Sequence, residues 1–81
     1  GNYPNPFRTA TRFAVELPAP APVTLTVYDA LGRHVATRRF GRRAAGVHTL
    51  TLRTRGWTSG AYFYRISAGE HEDTGSMRLV R

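Results

Sequence analysis

The sequence predicts an all-β protein, an antiparallel β-sandwich of immunoglobulin-like or fibronectin-like type with about seven strands. Three observations carry this expectation. Apolar residues alternate with polar ones in almost every segment, the period of a strand with one face in a core. Turn-forming clusters separate these segments at intervals of about 8–12 residues, as in a sandwich or barrel. No segment carries a helical repeat of useful length.

The elements follow in order. Residues 2–7 read NYPNPF. Pro4 and Pro6 lock their own φ and push Tyr3 and Asn5 into extended conformations, which suits an edge and not a central strand. A short, stiff edge strand is expected there, with Tyr3 and Phe7 packing over the rim of the sandwich. Strands are then expected near residues 11–17, 22–29, 33–40, 46–54, 60–68 and 74–81. Their inward faces are Phe13, Val15 and Leu17; Val23, Leu25 and Val27; Leu50 and Leu52; Tyr62, Tyr64 and Ile66; Met77 and Leu79. β-Branched and aromatic residues dominate these runs, as strands prefer. Between them, LPAPAPV (17–23) is a polyproline-like connector. DALGRH (29–34) is a tight turn that Asp29 can cap while Gly32 takes positive φ. GRRAAG (41–46) and TRGWTSG (54–60) are longer loops, and AGEHEDTG (68–75) is a hairpin with a polar tip.

With 81 residues, the chain suits a single domain (1–81) with one thin core and little room for a deep catalytic cleft. The absence of cysteine excludes disulfides, thiolate metal sites and a cysteine nucleophile. No run approaches the roughly 18 apolar residues of a membrane span. The first apolar run is interrupted by Pro18, Pro20 and Pro22, so it does not read as a signal peptide. If the domain is exported, the export signal lies elsewhere in a longer parent chain, or the domain is itself part of the signal.

The net charge is +7 and all twelve basic residues are arginine, so the positive charge persists to very high pH. A basic domain raises the question of an anionic partner. The arginines are spread along the whole chain, however, and read as dispersed surface charge. Tyr62, Tyr64 and Phe13 face inward, which leaves no stacking platform, and nucleic acid is not expected as a partner.

The residues also argue against catalysis. Glu16 lies on a polar strand face and Asp29 in a turn. Glu70, Glu72 and Asp73 flank His71 in one contiguous stretch, and a contiguous run in a turn splays its side chains into solvent. His34 and His48 have no visible second ligand. Ser59 and Ser67 have no His and Asp arranged around them. No enzyme activity, cofactor or metal is expected. Trp57 either plugs the end of the core, the preferred reading, or stacks on a sugar ring as in carbohydrate-binding modules.

The series YPNPF (3–7), FAVELP (13–18), VTLTVYDALGRHVAT (23–37), AGVHTLTL (45–52), SGAYFYRISAG (59–69) and MRLVR (77–81) resembles, in that order, a known family. It is similar to the type A C-terminal sorting domain of the type IX (Por) secretion system of Gram-negative bacteria. It is also similar to the related Ig-like domain of flagellar hook-capping proteins. The resemblance spans practically the whole chain and implies a monomeric, folded, non-enzymatic address label. Such a label directs a larger parent through the periplasm and an outer-membrane translocon to the cell surface or the medium. There a sortase-like peptidase commonly removes it and joins the parent to an anionic lipopolysaccharide. Carried across, the family's fold-defining motif falls on Tyr3, Pro4, Asn5, Pro6, Phe7, Gly32, Gly46, Gly60, Tyr62, Tyr64 and Gly69. Its terminal recognition element falls on Met77, Leu79 and Arg81. Ser76 departs from the basic residue common before the Met, Trp57 from Leu, and Arg8 from Asn. The Trp57 departure at an apolar position supports the plug. The alternative reading is a carbohydrate-binding or structural accessory module of a secreted hydrolase.

Overall fold

Seven strands and no helix form in the computed structural model, which describes residues 1–81. They are β1 (Asn2–Tyr3), β2 (Ala10–Leu17), β3 (Ala21–Asp29), β4 (His34–Arg43), β5 (Gly46–Arg53), β6 (Gly60–Ala68) and β7 (His71–Leu79). One sheet has the order β1-β2-β5 and the other β4-β3-β6-β7, with all strand pairs antiparallel. The two sheets pack face to face as the predicted sandwich.

The alternation read from the sequence decides what each strand buries. Phe13 and Leu17 of β2, Val23, Leu25 and Val27 of β3, Leu50 and Leu52 of β5, and Tyr62, Tyr64 and Ile66 of β6 all enter one core. Met77 and Leu79 of β7 join them, as does Phe7 from outside any regular strand. Phe13 and Tyr64 meet edge to face across the core, with ring centroids 4.7 Å apart at 66°, the geometry that aromatic quadrupoles favour. Strand β4 contributes only Ala36 to the buried set. It overhangs the narrower three-stranded sheet, so Arg38 stays in water although it lies opposite the buried Leu25.

Asp29 caps the turn between β3 and β4 as expected. Its Oδ1 accepts from the backbone N–H groups of Leu31 and Arg33, both at 2.9 Å, and its Oδ2 accepts from Arg33 Nε at 2.8 Å. The backbone N–H of Arg33 is the main cause holding this carboxyl below its ordinary value, and the Arg33 side chain adds to it. Because the folded value is depressed, the turn gains its ionic support above the ordinary carboxylate range and loses it on acidification through the folded value.

Three boundaries differ from expectation. The GRRAAG loop shrinks to Ala44 and Ala45. Strand β4 runs on to Arg43 through a bulge at Phe40–Gly41, where pairing skips from Thr24↔Arg39 to Val23↔Gly41 and Gly41 takes φ 76°. A glycine at that position reads as loop punctuation until its partner strand is known. The AGEHEDTG tip shrinks to Gly69 and Glu70, so His71, Glu72 and Asp73 lie on β7. Gly69 has φ 62° and no other residue type has positive φ, which fits a two-residue type II′ hairpin. The third difference is in NYPNPF, where only Asn2 and Tyr3 form strand, and Tyr3 is exposed instead of packing over the rim. This segment crosses between sheets: Asn2 and Tyr3 pair with β2, while Phe7 bridges β7.

Trp57 is partly buried against the core, its ring 5.3 Å from that of Tyr62, and so acts as a plug. Beside it, Thr54 is fully buried, yet its Oγ1 has no hydrogen-bond partner. Its backbone is satisfied, since the N–H donates to Thr9 O and the carbonyl accepts from Trp57 N–H. Thr54→Val removes only the orphaned hydroxyl and is expected to stabilise the domain by about 1 kcal/mol. Thermal unfolding checks this as a rise in Tm of about 4–8 °C.

Candidate functional site at the open edge of the terminal strand

The residues expected to carry recognition are divided between core and surface. Met77 and Leu79 are 2% and 1% exposed, so neither side chain is available at the surface. Arg81 is exposed; its N–H donates to Ser59 Oγ at 3.0 Å and its Nη1 donates to Thr54 O at 3.4 Å. What β7 does present is its outer face and its backbone edge, because it is the last strand of its sheet.

That edge is covered over part of its length. The N–H of Phe7 donates to Arg78 O at 3.0 Å, and the N–H of Val80 donates to Phe7 O at 2.8 Å. The N–H of Arg78 donates to Asn5 Oδ1 at 3.0 Å. In an antiparallel ladder every second residue turns both backbone groups to the same side. Since Arg78 bonds outward, the N–H and C=O groups of Ser76, Thr74 and Glu72 also point outward, where no strand lies beside them. The NYPNPF segment therefore closes the last part of the edge and leaves residues 72–76 open.

A second open edge lies across the sandwich. Strand β1 pairs only with Arg12 and Phe13, which leaves Ala14–Leu17 of β2 without a neighbour on that side. Between the two open edges runs a slot floored by Val15, Leu17, Ile66 and Ala68 and rimmed by Glu16, His71, Glu72 and Asp73. Four of the five acids, Glu16, Glu70, Glu72 and Asp73, are thus at or next to this side of a chain with twelve arginines. These acids do not converge: successive residues of β7 point to opposite faces, and no group of three is placed to hold a metal ion. Next to the slot, burial raises the Tyr64 phenol above its ordinary value, and the Asp73 carboxylate raises it further.

The two outlying histidines have local duties. His34 pairs through Nε2 with Thr37 Oγ1 at 2.8 Å, and His48 Nε2 donates to Ala44 O at 2.7 Å. The sole ion pair of the molecule is Arg33–Asp29.

The family model described as secretion system C-terminal sorting domain matches residues 2–79, nearly the whole chain. The chain belongs to this family, the sorting domain of type IX secretion. No curated protein and no solved structure matches it. In this sorting domain the motif glycines Gly32, Gly46, Gly60 and Gly69 all have positive φ and stand at turns or strand starts. Tyr62 anchors the loop before β6 by donating its hydroxyl to Thr58 O at 2.6 Å. The Pro4 carbonyl anchors the segment to β2: Asn2 Nδ2 donates to Thr11 Oγ1 at 3.0 Å, and Thr11 Oγ1 donates to Pro4 O at 2.7 Å.

One residue that the motif reading passed over belongs with these. Gly75 faces Tyr64 directly across the β6–β7 ladder, and a side chain there would meet the phenol ring. A glycine isolated within a strand signals such close approach, but Gly75 stood where the expected hairpin tip (68–75) meets the expected strand (74–81), and there a glycine reads as turn punctuation.

Proposed function

We propose that this domain is a non-enzymatic sorting label whose open β7 edge, residues 72–76, is read by the outer-membrane translocon during export of a larger parent protein. The observation that carries the reading is the partial cover on β7: Asn5 and Phe7 satisfy the edge at residues 78–80 and stop there. An exposed sheet edge is a template for an added strand, with backbone hydrogen bonds supplying affinity and neighbouring side chains specificity. The acidic rim favours a basic extended segment on the translocon. Met77 and Leu79 serve recognition by holding β7 in place, and Arg81 by tying the chain to the 54–59 loop. Passage through the periplasm, removal by a sortase-like peptidase and linkage of the parent to anionic lipopolysaccharide belong to the same reading.

Deleting residues 74–81 is a poor test, because it also removes the two core side chains. Thr74→Pro is better: its N–H faces outward, so proline costs no β6 bond but blocks an incoming strand. In a parent protein carrying this domain, the variant is expected to collect in the periplasm while the isolated domain keeps its β-sheet circular dichroism. A folded Thr74→Pro variant that reaches the surface in normal amounts sinks the edge as the recognition element. Normal surface delivery after removal of the entire domain sinks the sorting role itself.

A further inference from the structure

The outer face of the four-stranded sheet carries a feature that the edge does not need. Two cross-strand rows lie there side by side. One is His34–Tyr28–Phe63–Ser76 and the other Thr37–Thr26–Arg65–Thr74. Phe63 is 48% exposed, the one large aromatic left open on this face. Thr74 and Ser76 are short, so the ring of Phe63 and the stem of Arg65 stand above them and form an open trough reaching Tyr28. Arg65 is held in place: its Nη2 donates to the Tyr28 hydroxyl at 2.7 Å, and its guanidinium lies 5.8 Å from the Tyr28 ring centroid. It has no carboxylate partner. Its fixed, unneutralised fork keeps donors free for a planar anion. Exposed Arg78 lies on the same face next along β7 from Ser76, and Arg39 lies beyond Thr37 on β4.

We infer that this trough binds an acidic glycan, a chain of uronate-type sugars, independently of the sorting role. A sugar ring has an apolar face that suits a single exposed aromatic. Its hydroxyls suit Thr74 and Ser76, and its carboxylate suits the pinned Arg65. A single-stranded nucleic acid would want successive aromatic platforms, whereas this face exposes one, Phe63, and the Tyr28 hydroxyl is engaged by Arg65. The site differs from the sugar-stacking alternative on Trp57, whose ring is packed against Tyr62.

The test is NMR titration of the 81-residue domain with trigalacturonate at 150 mM salt, with maltotriose and oligothymidylate as comparators. Trigalacturonate is expected to shift the amides of residues 63, 65, 74 and 76, and maltotriose to bind far more weakly. Arg65→Gln and Phe63→Thr are expected to weaken trigalacturonate binding, the arginine variant by about tenfold or more, as for loss of a charge-assisted hydrogen bond. Arg12→Gln removes the same charge from the opposite sheet and is expected to leave binding within about twofold, as screening at this salt predicts. The inference is overturned by any of three results: no shifts at millimolar trigalacturonate, equal weakening by Arg12→Gln and Arg65→Gln, or tighter binding of oligothymidylate at the same residues. The same spectra report whether each variant is folded. Because the readout is binding in solution, failure here leaves the export reading untouched, and failure of export leaves this one untouched.

Discussion

Gly75→Ala is expected to destabilise the domain by about 2 kcal/mol, within the range for forcing extra atoms into a packed core. A Cβ built on Gly75 would contact the Tyr64 hydroxyl and lie 2.6 Å from its Cζ and 2.8 Å from its Cε2. One of the two must move. The Tyr64 ring is 4% exposed and packed edge to face on Phe13, so it cannot swing aside without disturbing the centre of the core. The backbone of β7 is held to β6 along the whole register from Gly60↔Leu79 to Ala68↔His71. Alanine would otherwise help, since glycine weakens a strand by about 0.5–1 kcal/mol; here overlap wins because the hydroxyl and two ring atoms of Tyr64 are involved. The arrangement is that of an aromatic laid across a strand glycine, which covers the bare backbone and pins register. Urea unfolding of Gly75→Ala, Tyr64→Leu and the double variant checks it. Leucine lacks the atoms that clash, so the double variant should be more stable than the sum of the single losses predicts. Strict additivity would show that the ring does not limit position 75.

The same pair shows what can be read from a sequence like this one. Alternation in VTLTV and YFYRI is enough to place Val23, Leu25, Val27, Tyr64 and Ile66 in a core, because a strand has only two faces. Turn chemistry is equally local, and Asp29 with Gly32 behaves as its spacing suggests. What could not be read depends on a partner strand. Gly41 becomes a bulge only because β3 continues beside it, and Gly75 matters only because Tyr64 lies opposite. The candidate sites share this property. The trough on the outer face is assembled from residues of β3, β6 and β7, and Phe63 looks there like any polar-face position until its neighbours prove to be short. The open edge is legible only once Asn5 is found bonded to Arg78, across a separation of 73 residues. The resemblance to a sorting family could point to the terminal strand but not to which of its surfaces is free.

Phe7→Ala is expected to cost about 3–5 kcal/mol, the range for truncating a buried phenylalanine. For a domain of this size that is a large share of total stability, which runs near 0.05–0.15 kcal/mol per residue. The ring is 3% exposed and belongs to the main core, although the residue lies in an otherwise irregular segment. Its backbone brackets β7, accepting from Val80 and donating to Arg78. Loss of the ring therefore loosens two things together: the end of the core and the cover on the last part of the β7 edge. Asn5→Ala separates them. It removes only the acceptor for the exposed Arg78 N–H, which water can replace, and should cost about 0.5–1.5 kcal/mol. Urea midpoints distinguish the two variants. Amide exchange adds the local view: in Phe7→Ala, Arg78 and Val80 should lose protection by local opening before Leu25 does, because they depend on the segment directly. If Phe7→Ala costs less than Asn5→Ala, the NYPNPF segment is not closing the fold. If it behaves as expected, the stiff opening residues set how much of the terminal strand is sealed and how much stays open to be read.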